Sequence, residues 1–142
     1  MSEYEKKRED VVTIFGRKQI LPALDSDRPK TDDVPDTVVF EFPDGKKLEV
    51  NTSQEIIIGR KSREEDPDVT VDLEAYDGHK MGVSRHHALI KYLKGSLILV
   101  DLDSINGTFV NNRRALPAKR YALMDGDAIT VGRFTMKIYY NH

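Results

Sequence analysis

Residues 127–140 read Asp127-Ala128-Ile129-Thr130-Val131-Gly132-Arg133-Phe134-Thr135-Met136-Lys137-Ile138-Tyr139-Tyr140. In the second half, Phe134, Met136, Ile138 and Tyr140 fall on one side of an extended chain, opposite Thr135, Lys137 and Tyr139. Side chains alternate between the two faces of a strand, so this period of two predicts a strand with one face in a core. Asp127–Val131 reads as its neighbour, with Gly132-Arg133 as the hairpin turn between them.

The same signature recurs upstream. Thr37–Phe42 alternates, with Val38, Phe40 and Phe42 on one face, and Pro43-Asp44-Gly45-Lys46 follows as a turn. Further strand-like runs are Glu55–Gly59, Val69–Asp72, His87–Leu93, Ser96–Leu102 and Thr108–Val110, with Lys94-Gly95 as another turn. Many short strands separated by turn signals predict an all-β sandwich or barrel. No helical periodicity competes within residues 37–140, and no internal repeat is visible.

Residues 1–36 differ in character. Two short apolar runs, Val11–Phe15 and Ile20–Leu24, stand in charged surroundings, and Asp25–Asp36 is dense in Asp and Pro with little to bury. The latter reads as a disordered linker. A helix over residues 3–21 is one reading, though Gly16 interrupts it and the apolar spacing is poor. The expected organisation is a mostly flexible, largely disordered extension over 1–36 and one domain over 37–142.

A chain of 142 residues is long enough to bury a core without staples, and with no cysteine it has neither disulfides nor thiolate metal sites. No apolar stretch approaches the roughly 20 residues that span a bilayer, and the charged N-terminus lacks the apolar run of a signal peptide. A cytoplasmic protein without a membrane partner is therefore expected. The 22 basic and 24 acidic side chains leave a net charge of −2, which is not the footprint of a nucleic-acid binder.

Four local signals lie in loops or at strand ends, where binding residues collect: Gly59-Arg60, Val83–Ala88 (VSRHHA), Asp103–Thr108 (DSINGT) and Asn111-Asn112. Each is weak alone. Together, Arg60 offers a bidentate fork for phosphate, the Ser84 hydroxyl can donate to a phosphate oxygen, and the Asn106 amide both donates and accepts. That set is what phosphopeptide recognition needs.

The order and spacing of GR, SRHH, NGT with VNN, and the DGDAITVG hairpin resemble the forkhead-associated (FHA) domain over roughly residues 37–140. The segment Val71-Asp72-Leu73…Gly82-Val83-Ser84 is similar to the bacterial branch of that family. The resemblance implies an eleven-stranded β-sandwich whose apical loops bind phosphothreonine peptides, without catalysis and without a cofactor. By position it implies that Arg60 and Ser84 contact the phosphate, that Arg85 adds charge or a hydrogen bond at the rim, and that Asn106 holds the peptide main chain. Gly59, His87 and Gly107 match positions that support loop geometry. The chain departs from the family at Ile105, where a threonine, serine or lysine often reaches toward the phosphate; Arg85 and Ser104 are the residues expected to substitute. The implied partner is a phosphothreonine-bearing protein, such as a Ser/Thr kinase or its substrate. Thr31 and Thr13 in the extension are candidate phosphosites, Thr31 for binding a neighbouring molecule and Thr13 for binding in cis, although an ordinary acidic linker is the preferred reading around Thr31.

Other readings are weaker. His79, His86 and His87 lie close in sequence, but no cysteine accompanies them and no nucleophile motif supports a Ser84–His–Asp101 arrangement. An inward-facing His87 bonded to a loop backbone is preferred, and no metal is expected. Asp125-Gly126-Asp127 lacks the rest of a calcium loop and reads as a turn with two solvated acids. The alternative functions are a phosphate-independent interaction sandwich or, less well supported, a nucleic-acid-binding regulator using the Lys61-Ser62-Arg63 run, Arg113-Arg114 and Lys119-Arg120.

Overall fold

The computed structural model describes residues 34–62, 68–117 and 119–141, and the backbone of residues 11–14 and 17–20. The chain runs through β1 (Val11–Ile14), β2 (Arg17–Ile20), β3 (Thr37–Glu41), β4 (Lys47–Asn51), β5 (Ile56–Gly59), β6 (Val71–Asp72), one 3₁₀ turn (Glu74–Tyr76), and β7 (His86–Leu93). It continues through β8 (Ser96–Asp101), β9 (Thr108–Val110), β10 (Arg113–Ala115), β11 (Arg120–Ala122), β12 (Ala128–Val131) and β13 (Phe134–Asn141). Eleven of these strands form two sheets, ordered β10-β9-β12-β13-β3-β4 and β11-β8-β7-β5-β6. All pairs are antiparallel except β5 with β6.

The period-two pattern of β13 does what its residues dictate: Phe134, Met136, Ile138 and Tyr140 are buried and the intervening residues are not. They meet Val38 and Phe40 from β3 and Ile129 and Val131 from β12, packed against Ile56, Ile58, Ala88, Ile90, Leu97 and Leu99 of the facing sheet. Near-continuous apolar runs in β5, β7 and β8 have a second cause. Ile57, Leu89, Ile98 and Val100 form a separate buried cluster with Val69, so these strands are buried on both faces.

Three strands of the sandwich escape the sequence reading. β4 is a mostly exposed edge strand, and β10 and β11 are three residues each, held by pairing to β9 and β8. Residues 11–14 and 17–20 are paired strands, not part of a helix: β1 pairs β2 antiparallel from Val11↔Ile20 to Ile14↔Arg17. The β-branched run Val11-Val12-Thr13-Ile14 favours the extended backbone. Thr13 thus pairs with Lys18, whereas Thr31 and the rest of residues 1–33 lie outside the described residues.

Residues just before Thr37 also take part in the packing. Val34 packs on the core, and the Thr52 hydroxyl donates toward the carbonyls of Pro35 and Asp36 at 2.8 and 3.0 Å. Asp127 is buried rather than solvated: its carboxylate accepts from Asn111 Nδ2 and the Met124 amide at 2.9 and 2.8 Å. Asp125 accepts the Tyr140 amide at 2.8 Å.

Candidate functional site

Gly59 is where β5 comes closest to the turn before β7. A Cβ there would lie 2.0 Å from the Arg85 carbonyl oxygen, so only glycine permits the approach, and the pairing register shifts at this point. The approach lets the Arg60 amide bond the Arg85 carbonyl at 3.1 Å. Arg60 Nε then donates to the Val83 carbonyl at 2.8 Å. One edge of the guanidinium is thereby anchored, leaving both terminal amino groups for a ligand.

Two turns face Arg60's strand end, and His87 ties them together. It is fully buried; its Nδ1 accepts the Ser84 amide at 3.0 Å and its Nε2 donates to the Gly107 carbonyl at 2.8 Å. Both bonds are made by the neutral ring. Burial lowers the His87 pKa below its ordinary value, against the opposing pull of the Gly107 carbonyl bond and the Asp101 charge. Ser84 is half-buried, and its Oγ accepts the Ile105 amide at 3.4 Å while its O–H stays able to donate.

Asp101 organises the second turn. Its buried carboxylate accepts the Ser104 hydroxyl and the Thr108 hydroxyl, both at 2.6 Å, and the Ser104 amide at 3.1 Å. Ser104 Oγ in turn accepts the Gly107 amide at 3.0 Å. The Ser104 hydroxyl, expected to help hold the phosphate, is thus engaged within the turn on both sides. Gly107 has φ +88, the left-handed backbone that a β-carbon opposes.

Asn106 is exposed, and its Nδ2 donates to the Gly82 carbonyl at 3.0 Å, leaving Oδ1 and the second N–H for a partner. Gly82, at φ +79, lies against the Asn106 amide with only 2.7 Å from a would-be Cβ to Nδ2. The sequence reading missed Gly82, whose signal was a glycine just upstream of the SRHH motif, and it also missed Asp101 as the organiser of the turn. Arg85 has an exposed side chain at the rim. Ile105, whose amide bonds Ser84 Oγ, is 87% exposed, unusual for a large apolar side chain.

His86 pairs with Asp68 at 3.3 Å, and among the described residues no group of three or more His, Asp or Glu could hold a metal. The bond between Ser84 and His87 uses the serine amide, not its hydroxyl. Among the described residues no helix is long and apolar enough to cross a membrane.

A two-sheet β-sandwich presenting polar side chains from three cross-linked loops defines a recognition module. The FHA domain model matches residues 56–132, and the chain belongs to the FHA family. It is 33% identical over 89 residues to protein FraH of Nostoc sp. strain PCC 7120, covering 62% of this chain and 30% of that protein. The chain spans about a third of the length of the curated relatives it first matches. The FhaA FHA domain, solved in complex with the intracellular domain of Rv3910, is 30% identical with a TM-score of 0.55, covering 71% of this chain and 98% of that one. An FHA domain solved in a study of phosphothreonine-dependent interactions is 29% identical with a TM-score of 0.58, covering 75% and 98%.

Proposed function

We propose that this chain is a non-catalytic, cytoplasmic phosphothreonine-peptide binder, an adaptor in Ser/Thr kinase signalling. The observation that supports it most is the convergence of Arg60, Ser84 and Asn106, each fastened to backbone and each with hydrogen-bonding capacity left over. The Arg60 fork and the Ser84 hydroxyl hold the phosphate, with Arg85 at the rim. Asn106 reads the main chain beside it. Because the loops are already cross-linked, little ordering cost accompanies binding. The partner is a phosphorylated protein of the kinase pathway, either a kinase or its substrate.

Titration of Arg60→Ala by calorimetry tests this. A charge-assisted contact contributes about 1.5–3 kcal/mol, so phosphopeptide affinity should fall about tenfold to a hundredfold while the thermal melt stays near wild type. Undiminished affinity in the folded variant would leave a sandwich that recognises its partner without phosphate.

A further inference from the structure

Beyond Asn106 the rim carries a second group of charges that the phosphate-binding residues do not use. The Gly82 carbonyl that receives Asn106 belongs to a turn packed on the β12–β13 hairpin: a Cβ on Gly132 would lie 2.5 Å from the Met81 oxygen and 2.7 Å from the Gly82 oxygen. The Arg133 amide donates to the Met81 carbonyl at 2.7 Å, and its guanidinium folds back onto the Lys80 carbonyl. On the other side of this junction, the Gly132 amide bonds the Gly107 carbonyl at 3.0 Å. Arg114 Nε lies 3.5 Å from where a Cβ on Gly107 would project. Lys80, Arg114 and Arg133 therefore come from three segments to one junction, next to Asn106.

All three are exposed. Among the described residues none of them pairs with a carboxylate, unlike Lys47 with Glu41, His86 with Asp68 and Lys91 with Glu55. General basicity does not explain the grouping, because the chain carries a net charge of −2. Like charges gathered without counterions raise the local potential, and an anionic partner lowers the energy of that arrangement. Single-stranded nucleic acid would also want aromatic faces for stacking. The one large exposed aromatic among the described residues, Tyr92, instead lines a cavity with Val34–Asp36 and Asn51–Ser53.

We propose that Lys80, Arg114 and Arg133 form an anion-reading flank of the site, which selects partners with Asp or Glu on one side of the phosphothreonine. This rests on the phosphothreonine reading and adds a specificity to it. A peptide whose phosphate lies at Arg60 and Ser84, and whose main chain is held by Asn106, continues over Gly82 toward this flank.

The test uses phosphothreonine peptides matched except for acidic or neutral residues, placed on one side of the phosphothreonine at a time. They are titrated into the wild type, the triple variant Lys80→Gln/Arg114→Gln/Arg133→Gln, and the charge-keeping Arg114→Lys/Arg133→Lys. Wild type should prefer one acid-flanked peptide by about three- to tenfold, a preference that shrinks in high salt. The triple variant should bind both peptides as wild type binds the neutral one, and the lysine variant should keep the preference. Equal wild-type affinities for all peptides, or a preference that survives in the folded triple variant, would overturn the flank and leave the phosphate site standing. Failure of every phosphopeptide to bind wild type would overturn both readings. Binding of a single-stranded oligonucleotide that the triple variant abolishes, with no acid preference, would assign the flank to nucleic acid instead.

Discussion

Replacing His87 by alanine removes a side chain that holds the Ser84 turn to the Gly107 turn through bonds of 3.0 and 2.8 Å. The buried Gly107 carbonyl loses its Nε2–H donor, and the half-buried Ser84 amide loses its acceptor. The Gly107 carbonyl keeps its bond from the Gly132 amide, so it loses one of two hydrogen bonds, about 0.5–1.5 kcal/mol, and the half-buried Ser84 amide, which water reaches, loses about 1 kcal/mol. Adding the void left by the ring, the loss should be about 2–5 kcal/mol. That is a large share of a typical domain's stability of about 5–15 kcal/mol and should lower the Tm by about 10–25 °C. Urea unfolding followed by circular dichroism at pH 7.5 measures it. His87→Asn, which keeps an acceptor near Ser84 but cannot reach Gly107, should fall between. A deficit below about 1 kcal/mol for the alanine variant would refute the tie.

The pH dependence gives the same group a second readout. Burial holds the folded-state pKa of His87 below the ordinary value of about 6.5, so the unfolded chain takes up the proton first as pH falls. Its contribution is fully present above about pH 6.5 and is lost as pH drops toward the folded pKa, by at most about 1.4 kcal/mol per unit. The alanine variant lacks this term, so the stability gap to wild type should narrow from pH 7 to pH 5. A constant gap across that range would mean the buried ring is not kept neutral.

Gly59→Ala puts a methyl 2.0 Å from the Arg85 oxygen and should cost about 2–4 kcal/mol as β5 and the Ser84 turn are forced apart; a melt matching wild type would show that the approach is loose. Asp101→Asn removes the charge that receives the Ser104 and Thr108 hydroxyls, for an expected loss of about 1.5–3 kcal/mol in urea unfolding at pH 7, and unchanged stability would deny its organising role. At the proposed site, a phosphothreonine peptide should bind about fourfold more tightly than its phosphoserine counterpart if the methyl is buried, and equal affinities by calorimetry would show that no pocket receives it.

Much of the sandwich was legible because strand patterning is a local property. In β13 each buried residue is two positions from the next, and in β7 and β8 burial on both faces leaves unbroken apolar runs. β10 and β11 left no such trace. Arg113-Arg114-Ala115 and Arg120-Tyr121-Ala122 are too short for a period, and what makes them strands is pairing with β9 and β8. The paired strands at residues 11–14 and 17–20 had their signal in a β-branched run beside Gly16, which reads as a helix breaker and a turn residue equally well.

By itself the sequence determined the alternation, the turn glycines and the order in which Arg60, Ser84 and Asn106 occur, since these follow from residue type and spacing. Tertiary structure alone decided which polar groups turn inward. Ser104 and Ser84 are both loop serines, yet Ser104 is engaged by Asp101 and Gly107 while Ser84 keeps a hydroxyl able to donate. Asn106 meets the Gly82 carbonyl across 24 residues of chain, and Lys80, Arg114 and Arg133 meet only because Gly82, Gly107 and Gly132 let three backbones touch. A hydrogen bond depends on where its distant partner is brought, and that placement exists only once both sheets have closed over their common core.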